Sequence, residues 1–328
     1  MPDTIRVGVV GCGGLGRRQA QIAAQAADVE LVGVSDLHLP TAQEVAEQHG
    51  LSLATADHRE LLAQGLDAVL VVTPTYTHAD IVVDAAQAGC HVFCEKPMAT
   101  SVADCERMMA ACEENDVHLM IGYVLRFRNG HRDLKRLVDE GKVGEVRIAW
   151  AARMGGRPPA GIGEWRRDRA KVGGLYSGAC HEMDLLLWYA GPVRSVRGFV
   201  NWGSFADTDT EDSIIIGWEH QNGAIGSLHS SQLYPVGGSA LGVGGTKGAL
   251  KLEGNKVIFA DHERNTESYQ FEANDALVEE LAHFFDCVRT GEQPLIPGKA
   301  GRDSLEIFEA AYLSAERGET IELPLPAR

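Results

Sequence analysis

Residues 5–16 read Ile-Arg-Val-Gly-Val-Val-Gly-Cys-Gly-Gly-Leu-Gly, a β-branched run that passes directly into a glycine-rich turn. The run Ile5–Val10 predicts a buried strand, and residues 17–27 predict the helix that follows it. Glycines at positions 11, 13 and 16 allow, in order, a tight turn, close approach of a pyrophosphate, and close packing of helix on strand. In this setting the stretch predicts a dinucleotide-binding unit and not an ordinary glycine-rich turn, with contacts from Gly11, Cys12, Gly13, Gly14, Leu15 and Gly16.

A carboxylate follows the second predicted strand, Val29–Ser35. Asp36 lies 36 − 16 = 20 positions after Gly16, which is the spacing of the acid that binds the adenosine ribose. A 2′-phosphate beside that acid would be repelled by on the order of 6 kcal/mol before screening, at ~5 Å and a dielectric of ~20. Asp36 therefore predicts NAD as the cofactor, in preference to NADP.

Strands and helices continue to alternate through the first 123 residues. Strands at 67–73, His91–Cys94 and 117–122 are predicted between helices that begin near residues 57, 77 and 101. This alternation predicts an α/β domain with a doubly wound parallel sheet, a Rossmann domain spanning residues 1–123. Ligands bind such sheets beyond the carboxyl ends of the strands. The residues at those ends, besides the glycine turn, are Asp36, Thr73, Pro74, Glu95 and Lys96.

The pattern changes after residue 123. Strands predicted at 145–154, 193–202, 214–218 and 224–232 dominate, and Asn222-Gly223 is typical of a tight hairpin. Helices are predicted at 131–140, Tyr176–Ala190, 275–290 and 299–317, and residues 157–172 predict a loop. We therefore expect residues 124–328 to form an α+β domain with a mostly antiparallel sheet that binds substrate.

Composition narrows the partners. Lys and Arg total 30 against 46 Asp and Glu, a formal net charge of −16, which argues against nucleic acid or an anionic membrane as a partner. No apolar run reaches the ~18 residues of a membrane span, and the first strand leaves no room for a signal peptide. The seven scattered cysteines are typical of reduced thiols in a cytoplasmic protein, and no metal-binding set is complete.

The whole chain resembles the glucose–fructose oxidoreductase/inositol dehydrogenase/rhizopine-catabolism (Gfo/Idh/MocA) family. The motifs that carry the resemblance are the glycine turn at 11–16, Thr73-Pro74 with His78, Gly89-Cys90-His91-Val92-Phe93-Cys94-Glu95-Lys96-Pro97, Gly122 with Arg126-Phe127, Trp165 before Gly173-Gly174, and His181-Glu182-Met183-Asp184. The family implies NAD(P)-dependent oxidation or reduction of sugars and cyclitols. It also adds His78 to the cofactor-binding residues, implies a cis Lys96-Pro97 bond, and implies a homodimer or homotetramer formed through the C-terminal sheet.

The resemblance further implies that Lys96 and His181 act at the reacting carbon. One departure is Ser177, which stands where many members have an aspartate four residues before the histidine; Tyr176 is the candidate to compensate for it. We expect His181 to be the base, because its ordinary pKa suits pH 7, and Lys96 to hold the hydroxyl, although the two roles are exchangeable. Asp184, on the same helical face, either orients the imidazole or stabilises the helix.

The resulting prediction is an NAD-dependent dehydrogenase of a small polyol or sugar. Further pocket candidates are Tyr123, Arg126, Arg153, Trp165 and Arg166. We expect Glu95 to point away from Lys96, because neighbouring residues in a strand face opposite sides. Two alternatives stay open: an NADPH-dependent reductase of an oxo-sugar or an enzyme acting on aromatic diols, and a protein on the same scaffold that senses NAD or sugar without catalysis.

Overall fold

The structure is a computed structural model that describes residues 4–156, 164–174 and 176–326. Its contacts divide the chain into two compact units. The first contains the chain up to Tyr123 together with Leu277–Arg302, and the second contains Val124–Ala276 together with the chain from Asp303 onward.

The first unit is built on a parallel sheet. Its strands are β1 (Ile5–Val10), β2 (Val29–Ser35), β3 (Leu53–Thr55), β4 (Ala68–Val71), β5 (His91–Cys94) and β6 (Leu119–Ile121). They are ordered β3-β2-β1-β4-β5-β6, and each described pair is parallel. The central strands β1 and β4 are almost wholly buried, as expected for a sheet covered on both faces. The doubly wound Rossmann sheet predicted from the sequence is confirmed.

Helices connect these strands. They are α1 (Gly14–Gln25), α2 (Leu39–His49), α3 (His58–Leu62), α4 (His78–Gln87) and α5 (Val102–Glu114). Side chains cap the N-termini of α3 and α5: Asp57 accepts a hydrogen bond from the Arg59 N–H, and Ser101 accepts one from the Asp104 N–H. The helices bring each following strand back in the same direction, so the carboxyl ends of all these strands meet at one edge.

The second unit contains a nine-stranded sheet. Its elements are α6 (Asn129–Asp139), β7 (Val146–Gly156), α7 (Arg169–Val172), α8 (Tyr176–Ala190), β8 (Val193–Asn201), β9 (Ser213–His220), β10 (Ile225–Ser231), β11 (Leu233–Gly245), β12 (Gly248–Glu253), β13 (Lys256–Asp261), β14 (Thr266–Gln270) and β15 (Ile321–Glu322). The order is β14-β13-β12-β11-β7-β10-β9-β8-β15. Among the described pairs, β7 with β10 is parallel and the others are antiparallel. The mostly antiparallel sheet is confirmed, and Gly223, with φ +81°, lies in the predicted β9–β10 hairpin.

Two predictions about this unit need correction. Strands β11 to β15 were not predicted. In β11, glycines interrupt the apolar alternation, and a Cβ on Gly242 would lie 2.8 Å from Trp150 Nε1. Of the loop expected at 157–172, residues 157–163 lie outside the described residues. The remainder forms a short 3₁₀ turn, Glu164–Arg167, and helix α7.

The division of the chain also differs from the predicted one at its far end. Residues 124–328 were expected in the second domain, but most of α9 (Ala276–Thr290) and the start of α10 (Gly298–Arg317) belong to the first unit. The reason is packing on β5 and β6. The rings of Phe93 and Phe284 lie 5.7 Å apart between centroids, and the Ile121 N–H donates to the Ile296 carbonyl.

Three general features follow from the described residues. None of their helices is long and apolar enough to cross a membrane, and none of their His, Cys, Asp and Glu side chains form a metal-binding group. All seven cysteines lie within the described residues and are buried.

We expect the buried His131 of the second unit to make the protein less stable in acid. Burial and the nearby Arg128 lower the pKa of His131 from 6.5 to about 4, and its Nδ1 lies 3.1 Å from the Tyr189 hydroxyl. A depressed pKa means that the folded state favours the neutral ring. The neutral His131 ring therefore contributes on the order of 3 kcal/mol to the free energy of unfolding; this contribution is present above pH 6.5 and lost as the pH falls through about 4. Urea unfolding at pH 7.5, 6 and 5 should show a weaker pH dependence in His131→Gln than in the unchanged protein; equal slopes would contradict this.

Candidate active site

The glycine turn joins β1 to α1 and is tightly packed on one side. Gly11 has φ +99°, and a Cβ there would lie 2.5 Å from the Val72 carbonyl oxygen. A Cβ on Gly16 would overlap the Gly11 carbonyl oxygen. Both positions therefore require glycine for the fold itself, as the sequence predicted for the turn and for helix–strand packing.

The other side of the turn is open. A Cβ added to Gly13 or Gly14 would meet no described atom within 4 Å. Gly13 precedes α1 and supplies no capping side chain among the described contacts, and the first turn of α1 contains no acid. The first N–H groups of α1 therefore point to space that an anion can enter, and the positive end of the helix dipole favours one. The residues present fit the pyrophosphate of a dinucleotide.

Asp36 is tied to this turn. Its carboxylate accepts hydrogen bonds from the Cys12 N–H at 2.8 Å and from the His38 N–H at 2.9 Å. Each carboxylate oxygen has a second lone pair, so Asp36 retains acceptor capacity toward ribose hydroxyls. Burial and the Asp36 charge raise the pKa of the Cys12 thiol to about 12. Cys12 therefore stays protonated, and it contributes its backbone to the site.

Glu95 lies against the Lys96 backbone, which corrects the expectation that it points away. Strand β5 ends at Cys94, so the alternation of faces does not extend to residues 95 and 96. Its carboxylate accepts hydrogen bonds from the Lys96 N–H at 3.1 Å and from Gln19 Nε2 at 2.7 Å. Burial raises the pKa of Glu95 to about 6, with Lys96 and Gln19 opposing the shift.

Glu95 is therefore a buried brace for the Lys96 backbone, and its predicted contact with the cofactor stays a prediction. Gln19 was missed, although its place on α1, one turn after Gly16, brings it to the same sheet edge. The Lys96–Pro97 bond is cis, as the resemblance implied.

His78 joins the two loops on either side of the lysine. Its ring is almost fully buried, with Nε2 2.8 Å from the Thr73 carbonyl oxygen and Nδ1 2.9 Å from the Pro97 carbonyl oxygen. Burial lowers the pKa of His78, so the ring is neutral and donates to one carbonyl at a time. The ring lies between the backbone that follows β4 and the backbone that follows Lys96, and the cofactor contact suggested for His78 stays a prediction.

In the second unit, Asp184 binds Arg126. Arg126 Nε and Nη2 donate to the two carboxylate oxygens at 2.9 and 2.6 Å, and both side chains are buried. The Arg126 guanidinium also lies 5.3 Å from the centroid of the Trp188 ring. Each side chain satisfies the other's charge inside the unit, which favours a structural role for the pair; the roles of Asp184 beside His181 and of Arg126 toward substrate stay predictions.

The first turn of α8 is held by residues that are distant in sequence. The Tyr312 hydroxyl donates to the buried carboxylate of Glu211 and accepts the Tyr176 N–H. Gly174, with φ +101°, fits beside them because a Cβ there would lie 2.6 Å from the Glu211 oxygens. The Tyr176 ring is fully buried, 5.0 Å from the Phe308 ring, which favours a structural role for this tyrosine.

The remaining candidates have diverse surroundings. Arg153 Nη1 lies 2.9 Å from Glu182 Oε1, and the Arg166 guanidinium stacks 4.3 Å from the Trp165 ring. Tyr123 is fully buried at the end of the first unit. Lys96, in the first unit, and His181, on α8 of the second, are each half-buried. Glu182 was missed by the sequence analysis, although it neighbours His181 in the chain.

Comparisons with known proteins agree with this geometry. The model of the "Oxidoreductase family, NAD-binding Rossmann fold" matches residues 5–123, and that of the "GFO/IDH/MocA C-terminal domain" matches residues 131–251. The myo-inositol 2-dehydrogenase of Thermotoga maritima is 29% identical over 97% of this chain and 98% of its own. The scyllo-inositol 2-dehydrogenase (NAD(+)) of Bacillus subtilis is 28% identical over 98% of this chain and 97% of its own.

A solved structure extends the likeness to the fold. The WlbA dehydrogenase from Bordetella pertussis, in complex with NADH and UDP-GlcNAcA, has a TM-score of 0.86 and 29% identity, covering 98% of this chain and 100% of that one. Family models thus match most of the chain on both sides of residue 124, and relatives align over nearly its whole length. The chain belongs to the Gfo/Idh/MocA family of oxidoreductases.

Proposed function

We propose that this protein is an NAD-dependent dehydrogenase that oxidises a secondary alcohol of a sugar or cyclitol. The observation that carries the proposal is Lys96, braced by Glu95 at the sheet edge that also holds the open glycine turn and Asp36. The full-length likeness to two inositol dehydrogenases supports the class of substrate.

The chain's own residues divide the work as follows. The glycine turn and the N-terminus of α1 bind the pyrophosphate, and Asp36 binds the adenosine ribose. When bound, NAD supplies the acceptor for the hydride that leaves the carbinol carbon. His181 accepts the hydroxyl proton, and the Lys96 ammonium donates a hydrogen bond to the same oxygen and stabilises its developing negative charge.

Asp36 supports NAD over NADP, and a single substitution tests this. We expect Asp36→Ala to weaken NAD binding by about tenfold, because bonds to the ribose hydroxyls are lost. The same change removes repulsion toward a 2′-phosphate, so the affinity for NADP should rise relative to the affinity for NAD. Calorimetric titration with both nucleotides provides the measurement, and Asp36→Asn separates charge from hydrogen bonding. Unchanged affinity for both nucleotides would contradict the assignment.

The activity itself is tested with a substrate panel. The protein is mixed with NAD and, separately, with cyclitols, aldoses and sugar acids, and NADH formation is followed by absorbance. We expect NADH with at least one cyclitol or aldose and slower turnover with NADP. A panel without NADH formation, for a protein that binds NAD, would contradict the proposed function.

We also propose that the open face of the nine-stranded sheet joins subunits into a homodimer or homotetramer. Large apolar side chains lie exposed on this face: Ile148, Trp150, Phe199, Ile215 and Ile225. Exposed patches of this kind mark interaction surfaces. Light scattering should give a mass of at least two chains, and Ile215→Lys, on strand β9 of this face, should lower that mass; a monomeric mass for the unchanged protein would contradict the proposal.

A further inference from the structure

The Arg153–Glu182 pair lies beside the proposed base. Glu182 follows His181 on α8, and Arg153 Nη1 lies 2.9 Å from Glu182 Oε1. Arg153 extends along one face of α8, since a Cβ on Gly178, one turn before Glu182, would lie 3.6 Å from Arg153 Nε. Positions 178 and 182 both lie within one turn of His181 on α8, so the pair lies close in the helix to the residue that is to act on the substrate.

The two members of the pair differ in exposure. The Arg153 side chain is 43% exposed, whereas that of Glu182 is 9% exposed. In the described part of the chain, Glu182 Oε2 is buried and has no hydrogen-bond partner. Arg153 is thus the charge that compensates the buried carboxylate, and Glu182 in turn cancels most of the positive field of an arginine that solutes can reach.

From this pair we propose that Glu182 sets the charge preference of the substrate pocket. By neutralising Arg153 it makes the site select uncharged sugars and polyols over sugars that bear a carboxylate. Arg153 keeps Nε and Nη2 to donate to hydroxyl oxygens, but it lacks the net charge that a carboxylate needs to offset its desolvation. The inference rests on the proposed function for the placement of substrate near His181.

The informative substitution is Glu182→Gln. Glutamine keeps the shape and an oxygen that accepts from Arg153, and it removes the charge. Substituting Arg153 instead would leave a buried carboxylate uncompensated and would confound specificity with stability. Glu219→Gln is the matched control, since Glu219 also pairs with an arginine of the second unit, Arg194, at 2.6 Å.

The measurement is calorimetric binding to the NAD-saturated protein. The probes are two pairs that differ by one carboxylate: D-glucose with D-glucuronate, and D-galactose with D-galacturonate. We expect the unchanged protein and Glu219→Gln to favour the neutral member of each pair. In Glu182→Gln, the affinity for the carboxylate member should rise about tenfold, while the affinity for the neutral member should change by less than about threefold.

Three outcomes overturn the inference. They are a preference of the unchanged protein for the carboxylate member, an equal effect of Glu182→Gln on both members, and an absence of binding by both pairs, which would contradict the selection of neutral sugars. Failure of the proposed function is distinguishable, because it shows as sugar binding with the expected charge preference but without NADH formation.

Discussion

Replacing Lys96 by methionine is expected to lower kcat by about 10²–10⁴-fold while NAD affinity changes by less than about threefold. Methionine keeps the length and apolar stem of lysine but carries no charge or hydrogen-bond donor to the substrate oxygen. The fold should tolerate the change, because the Glu95 carboxylate binds the Lys96 backbone N–H, which every side chain at this position retains. Stopped-flow NADH formation gives kcat, and calorimetry gives NAD affinity.

His181→Gln should lower kcat over the same range, and the double variant tests whether the two residues serve one substrate. If they do, the loss in the double variant should be smaller than the product of the two single losses. Lys251→Met is the control, since Lys251 is exposed in the second unit and pairs with Glu253. Near-normal kcat of His181→Gln across pH 6–9 would make the histidine structural and leave proton transfer to Lys96.

The local structure that the sequence predicted correctly is encoded by residues that are neighbours in the chain. The strand, glycines and helix of residues 5–25 follow one another in the chain, and their spacing is dictated by the backbone geometry of one turn. The position of Asp36 follows from the same unit, because α1 returns the chain to the adjacent strand. Here local pattern and tertiary structure impose the same constraint, so the pattern sufficed.

The remaining features depend on contacts between residues far apart in the chain. Asp184 shares a helical face with His181, but it forms its ion pair with Arg126, 58 positions away in the chain. Glu95 was misjudged because strand alternation was extended past the last strand residue. Neither the brace from Gln19 nor the Tyr312–Glu211 support of α8 has a local signature. In each case, burial left a polar group that required a partner, and only the fold determined which one.

The glycine turn offers the sharpest separation of folding from cofactor binding. We expect Gly16→Ala to destabilise the protein by about 3 kcal/mol or more, since its methyl group would overlap the Gly11 carbonyl oxygen and both are backbone-fixed. The better helix propensity of alanine, about 1 kcal/mol, is too small to offset this. Urea unfolding without nucleotide measures the effect.

Gly13→Ala should leave stability unchanged and weaken cofactor binding instead. Gly13 has φ −66° and ψ −173°, which alanine adopts readily, and a methyl group there meets no described atom within 4 Å. Unfolding should therefore change by less than about 0.5 kcal/mol. The same methyl group would occupy the space through which the pyrophosphate reaches the N–H groups of α1, so NAD affinity should fall at least about tenfold. If Gly13→Ala bound NAD normally, the open side of the turn would not be the phosphate site; if Gly16→Ala unfolded like the unchanged protein, the close approach of Gly16 to Gly11 would not constrain the fold.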